Sequence, residues 1–193
     1  MPDKRRHERV NFLSTAWLEY NGDKHFCRLA NISISGAMMI MHKPICPPIP
    51  IGNRCGVTLY HDYDGLFSEE FNAQIAYCKV PSFGVEFLDM DSKAQEILKS
   101  IVNKEKCFLN SARTIVNMAR EIAVSKGIEL TSVHFDNGEL NLEREIHCLR
   151  FNAGEHKIMV HLNRDEIEQF HGQGIADKKI RNTVDKLNLL LAQ

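Results

Sequence analysis

Between residues 12 and 88 the chain runs through six short apolar segments separated by turn signals, a rhythm that indicates a small closed β-barrel. Residues 12–20 (FLSTAWLEY) carry Phe12, Trp17 and Tyr20 and lead into Asn21-Gly22, a strong type I′ hairpin signal. Residues 24–32 (KHFCRLANI) alternate polar and apolar side chains and read as the returning strand. Gly36 then precedes AMMIM, a continuous apolar run of strand length. Pro44, Pro47, Pro48 and Pro50 forbid regular structure in the next stretch and predict a stiff loop. Residues 54–61 and 69–79 read as further strands, with 83–88 as the last.

Asp91-Ser92 supplies caps for a helix over 92–104, with Ala94, Ile97, Leu98 and Ile101 on one face. The character changes near residue 108. Residues 110–126 predict a second amphipathic helix with Ile115, Met118, Ala119 and Ile122 inward, closed by Gly127. Residues 128–135, 140–151 and 156–162 read as three strands, with turns at Asn137-Gly138 and Asn152-Ala153-Gly154. Asn163 caps a short acidic helix, and Ile180, Val184, Leu187 and Leu191 keep register in a final helix over 176–191. A chain of 193 residues has room for two small domains. The expected division is an all-β six-stranded barrel with a C-terminal helix over 1–106, then a small α+β domain of order α-β-β-β-α-α over 107–193.

Two polar patterns stand at the start of the barrel. Arg5-Arg6-His7-Glu8-Arg9 offers guanidinium forks at Arg5 and Arg9. Their arm should be mobile, being terminal, charged and poor in apolar anchors. Residues 1–11 carry four basic and two acidic side chains, a local excess of +2 in a chain whose net charge is −1. Guanidinium forks suit phosphate oxygens and the O6/N7 edge of guanine. Asn31-Ile32-Ser33-Ile34-Ser35-Gly36 then places an amide, hydroxyls and a glycine at the junction of two strands, suited to close contact with a planar base. Asx, Ser and Gly also favour plain turns, so the second pattern gains meaning from the first. Arg-x-x-x-Arg alone arises by chance in roughly one chain in two of this length, and Asx-x-Ser-x-x-Gly in about one in ten. Together they indicate a receptor for a guanine nucleotide.

With both patterns in this order and a strand series behind them, residues 4–104 resemble the PilZ family, receptors for the bacterial second messenger cyclic di-GMP. Arg5 and Arg9 match the family's arginine motif, and Asn31, Ser33 and Gly36 match its second motif. The resemblance implies a barrel with a C-terminal helix, and an arginine loop that wraps over ligand held on the barrel surface. It implies that Arg5 and Arg9 contact guanine edges and phosphates and that Asn31 and Ser33 hydrogen-bond a guanine. Gly36 would keep the space beside the base clear, while Arg6, between the motif arginines, could add a phosphate contact. The residue before the arginine motif, where arginine accompanies an intercalated ligand pair, is Lys4 here, which leaves one or two ligands open. The implied mechanism is ordering of the arm by ligand, relayed through residues 107–193 to a protein partner or a second copy. The output, whether motility, polysaccharide synthesis, adhesion or transcription, is not legible.

Other function classes find little support. No Gly-x-Ser-x-Gly, His-Glu-x-x-His or P-loop pattern occurs, so no enzyme is expected, and no cofactor beyond the ligand. Acidic pairs such as Glu69-Glu70 and Asp165-Glu166 read as solvated loop and helix-start residues. His134, His147 and His161 fall on predicted strands without a carboxylate or cysteine at ligand spacing, so no metal is expected. Cys27, Cys46, Cys55, Cys78, Cys107 and Cys148 lack C-x-x-C spacing and read as buried or inert thiols. No apolar stretch approaches a membrane span and no leader is apparent, which predicts a cytoplasmic protein. Two rival readings remain. One is a barrel that scaffolds a partner without binding nucleotide. The other is RNA binding, because the second domain loosely resembles a double-stranded-RNA-binding domain, with Gly172-Gln173-Gly174 before Lys178-Lys179. Against the latter stand the intervening segment NRDEIEQF, Asp177 before the lysines, and 11 basic against 12 acidic residues over 108–193.

Overall fold

The computed structural model describes residues 7–43, 49–61, 67–136, 146–170, 172 and 174–192, with backbone only at 12, 13, 61 and 67. Expectations for Lys4, Arg5, Arg6, Pro44, Cys46, Pro47, Pro48, Asn137-Gly138, the start of the predicted strand at 140–145 and Gln173 lie outside the described residues. The chain divides into two compact units, Met1–Glu105 and Lys106–Gln193.

The first unit is a closed antiparallel barrel. Its strands are β1 (Val10–Tyr20), β2 (Asp23–Ser33), β3 (Gly36–Met41), β4 (Arg54–His61), β5 (Phe67–Lys79) and β6 (Ser82–Phe87). They close in the order β1-β2-β3-β6-β5-β4, with β4 pairing back onto β1. The β1–β2 turn is the predicted one: Asn21 and Gly22 have φ of 53° and 86°, as a type I′ hairpin requires. Period-2 alternation sends Leu18, Leu29, Met39, Leu59, Ile75 and Phe83 inward, all at most 1% exposed. Helix α1 (Ser92–Ser125) adds Leu98, Ile101 and Val102 to that core. Asp91 caps it, its carboxylate accepting from the Ala94 N–H at 2.7 Å.

Helix α1 differs from expectation. Helices at 92–104 and 110–126 were predicted, and the chain forms one helix of 34 residues. Ala94, Leu98, Ile101, Glu105, Phe108, Ala112, Ile115, Ala119 and Ile122 follow one another at alternating spacings of four and three. Glu105, only 5% exposed, is the single charged member of that seam. It made the seam look like two. Nothing between 92 and 126 is proline or glycine, so the backbone has no reason to break.

The helix ends as predicted at Gly127, whose φ is +71°. The Gly127 N–H donates to Val124 O and the Ile128 N–H to Ala123 O, which completes a Schellman cap. That cap ties Ile128 to the helix, so the next strand starts at Ser132 and not at 128. The second unit then holds β7 (Ser132–Asp136), β8 (Ile146–Ala153) and β9 (His156–Asn163) in an antiparallel sheet of order β7-β8-β9. Helices α2 (Arg164–Glu168) and α3 (Ile175–Leu191) follow. Asn163 caps α2 in a full capping box with Glu166, as its position before an acidic turn suggested. Phe108, Ile115 and Ala119 of α1 meet Leu149, Phe151 and Leu162 of the sheet and Ile180, Val184 and Leu187 of α3 in this unit's own core.

Candidate functional site

The β1–β2 ladder brings Arg9, the described arginine of the first motif, beside the second. Val10 pairs with Ile32 and Asn11 with Asn31. Val10 and Ile32 are 3% and 0% exposed, in the core, so alternation turns Arg9, Asn11 and Asn31 to the outer wall. Arg9 is exposed and stands one residue before the first ladder pair, level with the end of β2. Asn31 has Met38 as its partner on β3, and Met38 has Gly84 on β6, so the wall beside the amide is low and partly apolar. The register shifts after Asn11 on β1 and before Asn31 on β2. Such bulges bend strands and re-aim side chains next to sites.

Three motif residues hold three different positions. Asn31 is half-buried, and its Oδ1 is buried with no hydrogen-bond partner among the described residues. A buried acceptor left in that state costs about 1–3 kcal/mol. Ser33 is 2% exposed. Its hydroxyl donates to Gly36 O at 3.2 Å, accepts from the Ser35 N–H at 3.3 Å, and lies 3.4 Å from Ser35 Oγ. The hydroxyl thus holds the β2–β3 turn. Gly36 pairs with Ser33 on one side and Glu86 on the other. A Cβ there would overlap the Val85 carbonyl oxygen and sit 3.3 Å from Glu86 Cα. The β6 backbone is thus one close neighbour that demands glycine here. Ser35 O accepts from the Phe87 N–H at 3.0 Å, which fastens the turn to β6. Asn11, two positions after Arg9, stands directly opposite Asn31 on the ladder.

Candidates in the second unit fall elsewhere. His134 and His161 are exposed. His147 is 2% exposed and packs nearly parallel to Phe135, centroids 5.6 Å apart, and against Phe108 at 4.8 Å. The Arg164 guanidinium covers Phe108 at 4.4 Å, which extends this stack to the surface. Among the described residues no group of three His, Cys, Asp or Glu is placed to hold a metal ion. Lys179 is committed: its ammonium bonds Glu166 at 2.7 Å, while Asp177 pairs with Arg181 at 2.9 Å. Of the lysine pair that resembled an RNA contact, Lys178 alone is exposed, and the segment NRDEIEQF forms the intervening α2.

The described thiols are free. Burial pushes Cys27 up to about 12 and Cys55 up to about 11, and raises Cys148, so none of the three is an activated nucleophile. Cys107, expected to be buried or inert, is exposed on α1.

A family model described as the PilZ domain matches residues 3–104, just over half of the chain. The chain belongs to the PilZ domain family. No curated protein matches it. Among solved structures, this PilZ protein is similar to the PilZ domain with c-di-GMP of YcgR from Escherichia coli: 18% identity, TM-score 0.46, covering 54% of this chain and 92% of that one. Similarity to the Bacillus subtilis inhibitor of motility MotI/DgrA is at 12% identity and TM-score 0.47, covering 54% of this chain and 52% of that protein. The Borreliella burgdorferi PlzA protein in complex with c-di-GMP is similar at 10% identity and TM-score 0.38, covering 83% and 82%. Among the described residues of this PilZ protein, no helix is long and apolar enough to cross a membrane.

Proposed function

We propose that this PilZ protein is a receptor for cyclic di-GMP, which binds on the outer wall where β1, β2 and β3 meet and acts by binding, without catalysis. The observation that carries the reading is the buried Asn31 Oδ1, which has no hydrogen-bond partner among the described residues and shares its wall with Arg9. Guanine offers N1–H and N2–H donors to such an acceptor, and adenine's N1 at the equivalent place is itself an acceptor. Arg9 at the mouth of the wall, with Arg5 and Arg6 on the arm before it, supplies guanidinium forks for phosphates and for the guanine O6/N7 edge. Ser33 holds the turn, and Gly36 lets β6 pass close behind it. Ligand draws residues 1–11 onto the wall, and residues 107–193 pass that change to a protein partner or a second copy.

Calorimetric titration of the full chain with cyclic di-GMP tests the reading. Arg9→Ala should bind at least tenfold more weakly, since a charge-assisted bond is worth about 1.5–3 kcal/mol. GTP and linear pGpG should compete poorly. Hydrogen exchange of residues 1–11 should slow with ligand; equal exchange with and without it would remove the ordering mechanism.

A further inference from the structure

We infer that Asn11 reads the same base as Asn31 and sets the preference for guanine over adenine at this wall. The inference rests on the cyclic di-GMP reading and adds to it a residue outside both motifs. Asn11 and Asn31 are direct cross-strand partners on β1 and β2. Both face out, because their neighbours Val10 and Ile32 are buried in the barrel core. Directly opposed residues hold their Cβ atoms about 4.5–5.5 Å apart, so two amides reach one base edge together. Asn11 is exposed, and the ladder loses its regular register immediately after it. Irregularities of this kind bend strands and recur next to binding sites.

The chemistry of a pair of amides is specific. Guanine's Watson–Crick edge presents O6 as acceptor beside N1–H and N2–H as donors. The Asn31 Oδ1, buried and without a hydrogen-bond partner among the described residues, takes an N–H. The Asn11 Nδ2 donates to O6. Adenine reverses both ends: its exocyclic N6–H₂ faces the Asn11 amide hydrogens, and its N1 lone pair faces the Asn31 oxygen. Two mismatched contacts arise where guanine has two matched ones. Discrimination of this kind comes from leaving buried polar groups opposed to their like.

The experiment is calorimetric titration of the full chain, as wild type, Asn11→Ala and Asn11→Asp, with cyclic di-GMP and cyclic di-AMP. Asn11→Ala should narrow the ratio of the two affinities roughly tenfold, within the range of one amide–base pair, through loss of affinity for cyclic di-GMP. Asn11→Asp places a carboxylate against O6 and should weaken cyclic di-GMP more than the alanine variant does. The same carboxylate accepts from adenine N6–H₂, so cyclic di-AMP binding should hold or improve. The thermal midpoint of each variant is measured alongside, because a merely structural role would lower both affinities together and leave their ratio unchanged. An unchanged ratio in both variants, with tight wild-type binding, would overturn the role of Asn11 and leave the receptor reading intact. Wild-type protein that binds neither dinucleotide would overturn both.

Discussion

The carbonyl oxygen of Val85 occupies the place that a side chain on Gly36 would need. Gly36 opens β3 opposite Ser33 and is paired on its far side with Glu86 of β6. The glycine of the second motif is thus a packing requirement of the barrel.

Gly36→Ala should therefore destabilise the unliganded protein. The obstacle is backbone in the middle of a sheet, which cannot rotate away as a side chain would, so the cost is that of overpacking, about 1–3 kcal/mol. A fall in the urea midpoint at constant slope would register it. Wild-type stability in this variant would mean that β6 gives way more easily than the geometry suggests.

Asn31→Leu should behave in the opposite manner. The Oδ1 of Asn31 is buried with no hydrogen-bond partner among the described residues, so its removal relieves a penalty of about 1–3 kcal/mol and the variant should be at least as stable as wild type. Binding of cyclic di-GMP should fall sharply in the same variant. Gain of stability with loss of ligand is the signature of a residue kept for function. A variant both less stable and unimpaired in binding would assign Asn31 to the fold.

Ser33→Ala removes a hydroxyl that serves Gly36 O and the Ser35 N–H inside the turn. The expected cost is about 0.5–1.5 kcal/mol of stability per bond lost, without compensation, since Ser33 is too buried for water to replace it. Arg9→Ala, at an exposed position, should leave the urea midpoint unchanged while it weakens the ligand. The two variants separate the scaffold's share of the motif from the ligand's.

The barrel was legible because its signals are local. Alternation marks strands such as residues 24–32, and Asn21-Gly22 encodes a turn whose dihedral angles only those residues adopt easily. Asn163 and Gly127 announced helix ends for the same reason, since a cap is a property of four or five consecutive residues. The unity of α1 was not legible, because Glu105 put a charge on a seam of apolar side chains and broke the pattern by which a helix face is recognised. At the site, residue types were readable and their division of labour was not. That Ser33 serves the turn, that Gly36 yields to Val85 and that Asn11 opposes Asn31 are facts of register between strands, fixed by non-local pairing.

The cysteines allow a test of burial and of alkaline stability together. Desolvation pushes the Cys27 thiol up to about 12 and the Cys55 thiol up to about 11 from an ordinary value of 9.0, because a thiolate in the barrel wall would lose its water. In the unfolded chain both ionise near 9.0, so the unfolded state releases protons that the folded state keeps. Their contribution is fully present below pH 9.0 and is lost as pH rises through the folded values, so stability should decline from about pH 9 upward. Chemical denaturation at a series of pH values checks the sign. At pH 8, iodoacetamide should label the exposed Cys107 of native protein within minutes and reach Cys27 and Cys55 only with denaturant, as peptide mass mapping would show. Fast labelling of Cys27 in native protein would mean that the β1–β2 wall opens far more readily than its packing implies.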